Sequence, residues 1–160
     1  MGVMVGDLGE CYAKHGGALV RFAATQVGAS DADDVVSAAL LGVLQREVDH
    51  VGDTRASLYR AVANASIKHW RGLGRRRRRD IVLAPSAAWR GPGGHDPQSE
   101  RVIEALRSLS VQQRAVVHLA YWEDLTPAVV AERLGVSDGT VRRQLARASD
   151  RLRKVVDGQR

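Results

Sequence analysis

Covalent ties are almost absent from this chain. A single cysteine, Cys11, stands among its 160 residues, which excludes an internal disulfide and a cysteine zinc cluster. A small neutral or buried side chain is its expected role. Proline is also scarce, at four residues, and β-branched runs are few. With much Ala, Leu, Val and Arg, this composition favours an all-helical protein. No apolar run reaches the roughly 18 residues of a membrane span, so no membrane is expected among its partners. The opening MGVMVGDLGE lacks the basic-then-apolar order of a secretory signal, and the expected compartment is cytoplasmic. Aromatic residues make up only 4%, which limits stacking surfaces. The histidines His15, His50, His69, His95 and His118 show no metal-type pairing with cysteine or carboxylate. No glycine-rich phosphate loop follows a strand. Asp33-Asp34 read as first-turn helix acids facing the helix dipole rather than as a catalytic dyad. No catalytic residue, metal or cofactor is expected, and the chain does not read as an enzyme.

What is abundant is positive charge, and it is unevenly placed. Net charge is −2 over residues 1–70, +5 over 71–99 and +3 over 100–160. The length allows one domain or two small ones. A basic middle and C-terminal part favour a polyanionic partner.

Hydrophobic periodicity predicts a helix over Leu8–Val27, with Leu8, Tyr12, Leu19, Phe22, Ala23 and Val27 at apolar positions and Gly16-Gly17 as a weak point. Ser30 and Asp33 form a capping-box pattern ahead of a stripe of Val35, Val36, Ala39, Leu40, Val43 and Leu44. Asp49–Thr54 reads as a loop, and a third helix is expected over Ala56–Trp70. The stretch Gly72–Gln98 holds three of the four prolines and the run Arg75–Arg79; it reads as a flexible linker. Beyond Ser99, Val102, Ile103, Leu106 and Leu109 form an amphipathic helix. Ser110 and Gln113 form a second capping box, and the helix it starts carries Val116, Val117, Leu119, Ala120 and Trp122.

The last third is the most informative. Thr126-Pro127 is a strong helix start. Gly135 suits a left-handed C-cap after Leu134, and Ser137 caps a final helix running to about Val155. Val141, Leu145, Ala148 and Leu152 share one stripe. They are expected to pack, with Val136, on Val129, Val130 and Leu134. Arg142, Arg143 and Arg147 are left outside, near the helix start where a recognition helix meets base edges. Ser137 and the adjacent free amides could hold a phosphate. Spacing alone leaves two readings: a DNA-reading helix-turn-helix, or a packed helical hairpin with a charged outer face.

Taken in order, "YAKHGGALVRFA", "VGASDADDVV", "LYRAVANASIKHWRGLGRRRRR" and "ALRSLSVQQRAVVHLAYWEDLTPAVVAERLGVSDGTVRRQLARASDRLR" resemble the extracytoplasmic-function (ECF) sigma factors of the sigma-70 family. These are promoter-specificity subunits of bacterial RNA polymerase. The resemblance implies two small helical domains joined by a flexible linker: region two over 5–79, the linker over 80–98 and region four over 99–156. It implies core RNA polymerase and promoter DNA as partners, with an anti-sigma factor as a further one. Asp33, Asp34, Val36, Ser37, Leu40 and Leu41 fall where the family binds the polymerase. Asn64, Lys68, His69 and Arg71, with the basic extension Arg75, Arg76 and Arg77, match its −10-reading segment. Ser137, Thr140, Arg142, Arg143 and Arg147 match its −35-reading helix. Tyr59 and Trp70 are the nearest candidates for stacking on an unpaired base, with Trp70 also suited to the core. The chain departs from the family pattern at Ser37-Ala38, where a glutamine-glutamate pair is frequent. It departs again at Lys68, where an acid is common, and at Val129, where a glutamate is frequent. A stand-alone helix-turn-helix regulator, and a degenerate sigma-like protein that titrates an anti-sigma factor, are the alternative readings.

Overall fold

The computed structural model describes residues 2–45, 54–77, 101 and 104–158, and among them every regular element is helical. Three long helices form the front of the molecule: α1 (Gly2–Val27), α2 (Ala29–Gln45) and α3 (Thr54–Arg77). The rear holds a helical turn at 104–107 and then α4 (Val111–Val117), which widens into a π-helix over His118–Trp122. It is followed by α5 (Pro127–Leu134) and α6 (Asp138–Asp157).

α1 passes through Gly16 and Gly17 without a break. The Tyr12 ring lies over Gly16, so closely that a Cβ there would meet it at 3.2 Å. Tyr12 is accordingly 39% exposed and covers its own helix instead of entering the core. Gly28, with φ 92°, turns the chain between α1 and α2. Because α2 begins at Ala29, Ser30 lies inside its first turn and does not cap it. Val35, Val36 and Ala39 are buried as their spacing predicts, whereas Leu44 is half exposed. Of the expected loop Asp49–Thr54, residues 49–53 lie outside the described residues; Thr54 opens α3, and its hydroxyl donates to Asp7 Oδ2 at 2.9 Å.

The largest departure from expectation is the length of α3. It continues past Trp70 through Gly72 and Gly74 to Arg77, so the expected linker start at Gly72 is helical. Two glycines in an arginine-rich segment weaken a helix by about 1 kcal/mol each, and the preceding turns already anchor it. Leu58, Tyr59, Val62, Ser66 and Trp70 form its buried face. Val102 and Ile103 lie outside the described residues, while Leu106 and Leu109 are buried as expected.

The capping box at Ser110 forms: its hydroxyl accepts from Gln113 N at 3.2 Å, and the Gln113 side chain accepts from Ser110 N at 3.0 Å. Front and rear share one hydrophobic cluster, from Leu19, Phe22 and Tyr59 through Val116 and Leu119 to Val130, Val141 and Ala148. The two helical groups therefore pack directly on each other.

Candidate nucleic-acid interface

Local chemistry builds the α5–α6 corner. Thr126 caps α5 by accepting from Val129 N, and Pro127 occupies the first turn, where a missing N–H is harmless. Gly135 closes α5 in the left-handed conformation (φ 67°, ψ 35°), and the amides of Gly135 and Val136 cap carbonyls of its last turn. Ser137 then caps α6: its hydroxyl accepts from Thr140 N at 3.1 Å.

That corner sets the faces of α6. Val141 and Ala148 are buried, with Leu145 and Leu152 packed against the core beside them. Arg142, Arg143 and Arg147 are exposed, as the spacing predicts. Val129 does not join the packing; it is 36% exposed, while Val130 next to it is fully buried. Arg142 Nε donates to Asp138 Oδ2 at 3.0 Å, and Arg143 Nη2 donates to Thr140 Oγ1 at 3.2 Å. A guanidinium carries five N–H donors, so each contact leaves most of them for a ligand. The Arg142–Asp138 pair is exposed and weak; it orients the side chain without committing it. Ser137 and Thr140 are also hydrogen-bonded to each other at 2.8 Å.

α3 presents a second polar stripe. Arg60, Asn64, Lys68 and Arg71 are exposed at helical spacing, opposite its buried face. His69 is half-buried, with Nε2 3.2 Å from Asp31 Oδ2 on α2, a contact whose angle falls short of a hydrogen bond. It ties the two helices together and lines the groove between them. The backbone of Arg75–Arg77 extends α3; their side chains, and all of Arg78 and Arg79, lie outside the described residues.

Between α2 and α3 runs an open groove of about 590 Å³, lined among others by Asp34, Ala38, Leu41, Asn64 and Lys68. It brings together residues that the sequence assigned to two separate tasks. Asp33, Asp34 and Ser37 are exposed, Leu41 is 57% exposed, and Leu40 is half-buried against the core. Val36 is 2% exposed. It belongs to the core and is withdrawn as a partner-binding residue, because the α2 stripe that carries it faces α1 and α3.

Neither aromatic candidate for stacking is exposed, and Trp70 takes the core place it was also suited to. Tyr59 is fully buried and packs on Phe22 with ring centroids 5.0 Å apart. Trp70 is 6% exposed and donates its indole N–H to Gln26 O at 2.9 Å. Among the described residues, the most exposed aromatic side chains are Tyr121 (69%) and Trp122 (58%), in the π-helix of the rear unit. Trp122 lies parallel to the His118 ring, 6.0 Å away. The widened turn takes the end of α4 out of ordinary helical register, and a 3.6-residue count cannot see that.

Sequence spacing missed a polar seam between front and rear. Arg114, 2% exposed, sends Nη2 to Gln26 O (2.9 Å) and Nη1 to Leu109 O (2.9 Å) and Leu106 O (3.4 Å), with its guanidinium 5.8 Å from the Trp70 ring centroid. A cation at the C-terminal carbonyls of α1 is favoured by the helix dipole. Burial lowers its pKa to about 10, which still leaves it charged at neutral pH. Thr25 Oγ1 and His118 Nδ1 are 2.7 Å apart. The Tyr59 hydroxyl donates to Glu123 Oε1 at 2.7 Å, and Arg133 Nη1 donates to Glu123 Oε2 at 3.0 Å while lying over the Tyr59 ring. His118 Nε2 stands 3.7 Å from the same carboxylate, beyond hydrogen-bond distance. Burial alone would raise the Glu123 pKa; its polar and cationic neighbours outweigh that and lower it. Burial, then the Glu123 carboxylate, push the Tyr59 hydroxyl up to about 12. The available signal was Arg114 itself, a lone charge inside "RAVVHLA".

Among the described residues, no group of His, Cys, Asp or Glu could hold a metal ion, and no helix is long and apolar enough to cross a membrane. Residues 99–152 match the family described as Sigma-70, region 4. The RNA polymerase sigma-E factor of Streptomyces avermitilis is 30% identical over 132 residues, covering 79% of this chain and 72% of that protein. The ECF RNA polymerase sigma factor SigL of Mycobacterium tuberculosis is 31% identical over 153 residues, covering 89% and 84%. In structure, the chain resembles the sigma factor RpoE of Bartonella quintana, solved in complex with the anti-sigma factor NepR. The TM-score is 0.72 at 22% identity, covering 96% of this chain and 99% of that one. It also resembles CnrH, solved with the cytosolic domain of CnrY, with a TM-score of 0.63 at 24% identity and coverage of 96% and 89%.

Proposed function

This chain belongs to the ECF RNA polymerase sigma factors and acts in transcription initiation; from that premise we propose how its parts divide the work. Region two spans 5–79, a linker 80–98 and region four 99–156. Region four reads the −35 element through α6: Arg142, Arg143 and Arg147 meet base edges and phosphates, and Ser137 and Thr140 lie at the helix start. Guanidinium groups suit both tasks, pairing bidentately with guanine and holding phosphate. Region two binds core RNA polymerase through Asp33, Asp34, Ser37, Leu40 and Leu41 on α2. It faces the −10 element with Asn64, Lys68 and Arg71, while Arg75, Arg76 and Arg77 hold the DNA backbone. His69 acts indirectly, by fixing α3 against α2. The protein works in the cytoplasm, where its polymerase is, and catalyses no reaction of its own. An anti-sigma factor fits this role as a further partner.

One observation carries this reading: the capped glycine corner buries Val141 and Ala148 while leaving Arg142, Arg143 and Arg147 in solvent. A hairpin used only for packing would not need three arginines on one turn and a half of exposed helix. Run-off transcription with purified core polymerase on a fragment from upstream of the chain's own gene tests it. A discrete transcript that depends on the protein is expected. Tight promoter binding without polymerase and no transcript would mark a stand-alone regulator instead.

A further inference from the structure

The apolar cluster shared by front and rear is interrupted at one spot. A narrow cavity of about 70 Å³ lies between α1, α3, α4 and α6. Asn64 and Gln112 at its rim are exposed, and Gln26 at its inner end is 0% exposed. A water molecule takes about 30 Å³ in the liquid, so the space suits two of them.

Gln26 needs a donor there. Its backbone carbonyl already accepts from the Trp70 indole and from Arg114, each at 2.9 Å. Its side-chain Nε2 donates to Phe22 O at 3.0 Å. That bond fixes the amide, because turned over it would set Oε1 against another carbonyl oxygen. Oε1 is therefore the remaining polar atom of the side chain, buried and without a hydrogen-bond partner among the described residues. A buried acceptor with no donor is costly to keep. Cavities that stay dry are lined by apolar groups, whereas this one is also lined by the side chains of Asn64, Gln112, Thr140 and Gln144. Gln144 Nε2 donates to Gln112 Oε1 over a long 3.4 Å, and each amide has further hydrogens for another acceptor. A water at Gln26 thus has the two to four polar partners that hold such a molecule in place. A cation is disfavoured, because the Arg114 guanidinium already sits on the Gln26 carbonyl and no carboxylate lines the space.

We propose that this cavity is a specific hydration site: an ordered water donates to Gln26 Oε1 and links α1 to the polar side chains of α4 and α6 around it. A water-mediated bond is nearly as favourable as a direct one. The site therefore adds a polar joint to an interface otherwise packed by Leu19, Phe22, Val116, Leu119 and Val130. Thr140 lies in the first turn of α6, so the joint helps to set where that helix starts relative to α1. The inference does not depend on what α6 binds.

The test is nuclear magnetic resonance on the full chain, reading cross-relaxation between water and the methyl groups of Ala115 and Val116. Both line the cavity and are buried away from bulk solvent. A water held in place tumbles with the protein, so its cross-peaks should carry the sign of a bound molecule. They should persist in Thr140→Val, which removes the hydroxyl that could relay the signal by exchange. They should be lost in Gln26→Met, which keeps side-chain length and removes the acceptor, with circular dichroism reporting unchanged helicity. Xenon under pressure supplies a second reading on the wild type alone, should Gln26→Met not fold. A hydrated site should leave the same methyl shifts unmoved. Shifts that move with xenon while the water cross-peaks are missing would mark a dry cavity and overturn the proposal. Cross-peaks missing with no response to xenon would overturn it too, by showing the space filled by side chains. Cross-peaks lost in Thr140→Val would reduce the signal to a hydroxyl relay. Cross-peaks kept in a folded Gln26→Met would show a water that Gln26 does not hold.

Discussion

Arg114 and Arg142 are the same side chain in opposite surroundings. Arg114 is almost completely buried, pinned to three carbonyls at the meeting of the two units, and its pKa is lowered to about 10. The Arg142 side chain is 67% exposed and, among the described residues, tied to Asp138, four residues back. A buried guanidinium is held in place by every acceptor around it and is costly to remove. An exposed one contributes little to folding and keeps its donors for another molecule. One arginine serves the architecture; the other is available for recognition.

The contrast is sharpest under mutation. Arg114→Ala should cause the largest loss of stability, about 3–5 kcal/mol, because the carbonyls of Leu106, Leu109 and Gln26 lose a charged donor together. Urea denaturation measures it; a loss below about 1 kcal/mol would mean that water replaces the guanidinium freely. The Arg142→Ala/Arg143→Ala pair should behave the opposite way. Stability should change by no more than about 0.5 kcal/mol, while −35-dependent transcription falls by roughly 1–3 kcal/mol, or 5- to 150-fold, for each base no longer read. Unchanged transcription would move base reading off α6.

Replacing Arg75–Arg79 by alanine should weaken binding on every promoter alike. It should lower the salt slope by roughly 0.7–0.9 for each phosphate that the protein no longer neutralises, and a promoter-selective defect would contradict backbone holding. Gly135→Ala should cost about 1–2 kcal/mol. The position is left-handed, and a Cβ there would also run into the Arg60 side chain crossing the corner. Thermal unfolding reads that change, and an unaltered midpoint would show that the corner relaxes.

The smallest effect concerns pH. The Glu123 carboxyl is held below its ordinary value in the folded chain, so its contribution is complete above the unfolded pKa of about 4.3. It is lost as pH falls through the lower folded value. Stability of Glu123→Gln should therefore depend less steeply on pH below about 5 than that of the wild type. Parallel acid-unfolding curves would mean that Glu123 titrates alike in both states.

The rear corner is legible in the residues because its signals are local. Thr126-Pro127, Gly135 and Ser137 each act within one turn of helix, so the chain declares the corner without knowing its neighbours. The spacing of Val141 and Ala148 likewise fixes which side of α6 stays wet. Reading fails where the outcome depends on a distant partner. Tyr59 looks available in the sequence and is buried by helices that periodicity cannot orient, whereas Val36 is buried as its place in the α2 stripe predicts. Leu44 and Trp122 look inward and are exposed. The end of α3 escapes the reading because glycine and arginine suggest a break, yet seven more residues cost little once a helix is nucleated and anchored.

By itself, then, the sequence determined most of the helices, the caps at Ser110, Thr126, Gly135 and Ser137, the family and the outward arginines of α6. These follow from dihedral preference, hydrogen bonding within one turn and the 3.6-residue period, which need only near neighbours. The tertiary structure alone decided that front and rear close on each other through Gln26, Arg114, Tyr59 and Glu123. Those groups meet across 64 to 88 residues of chain, and a polar side chain carries no mark of which distant partner will satisfy it once water is excluded.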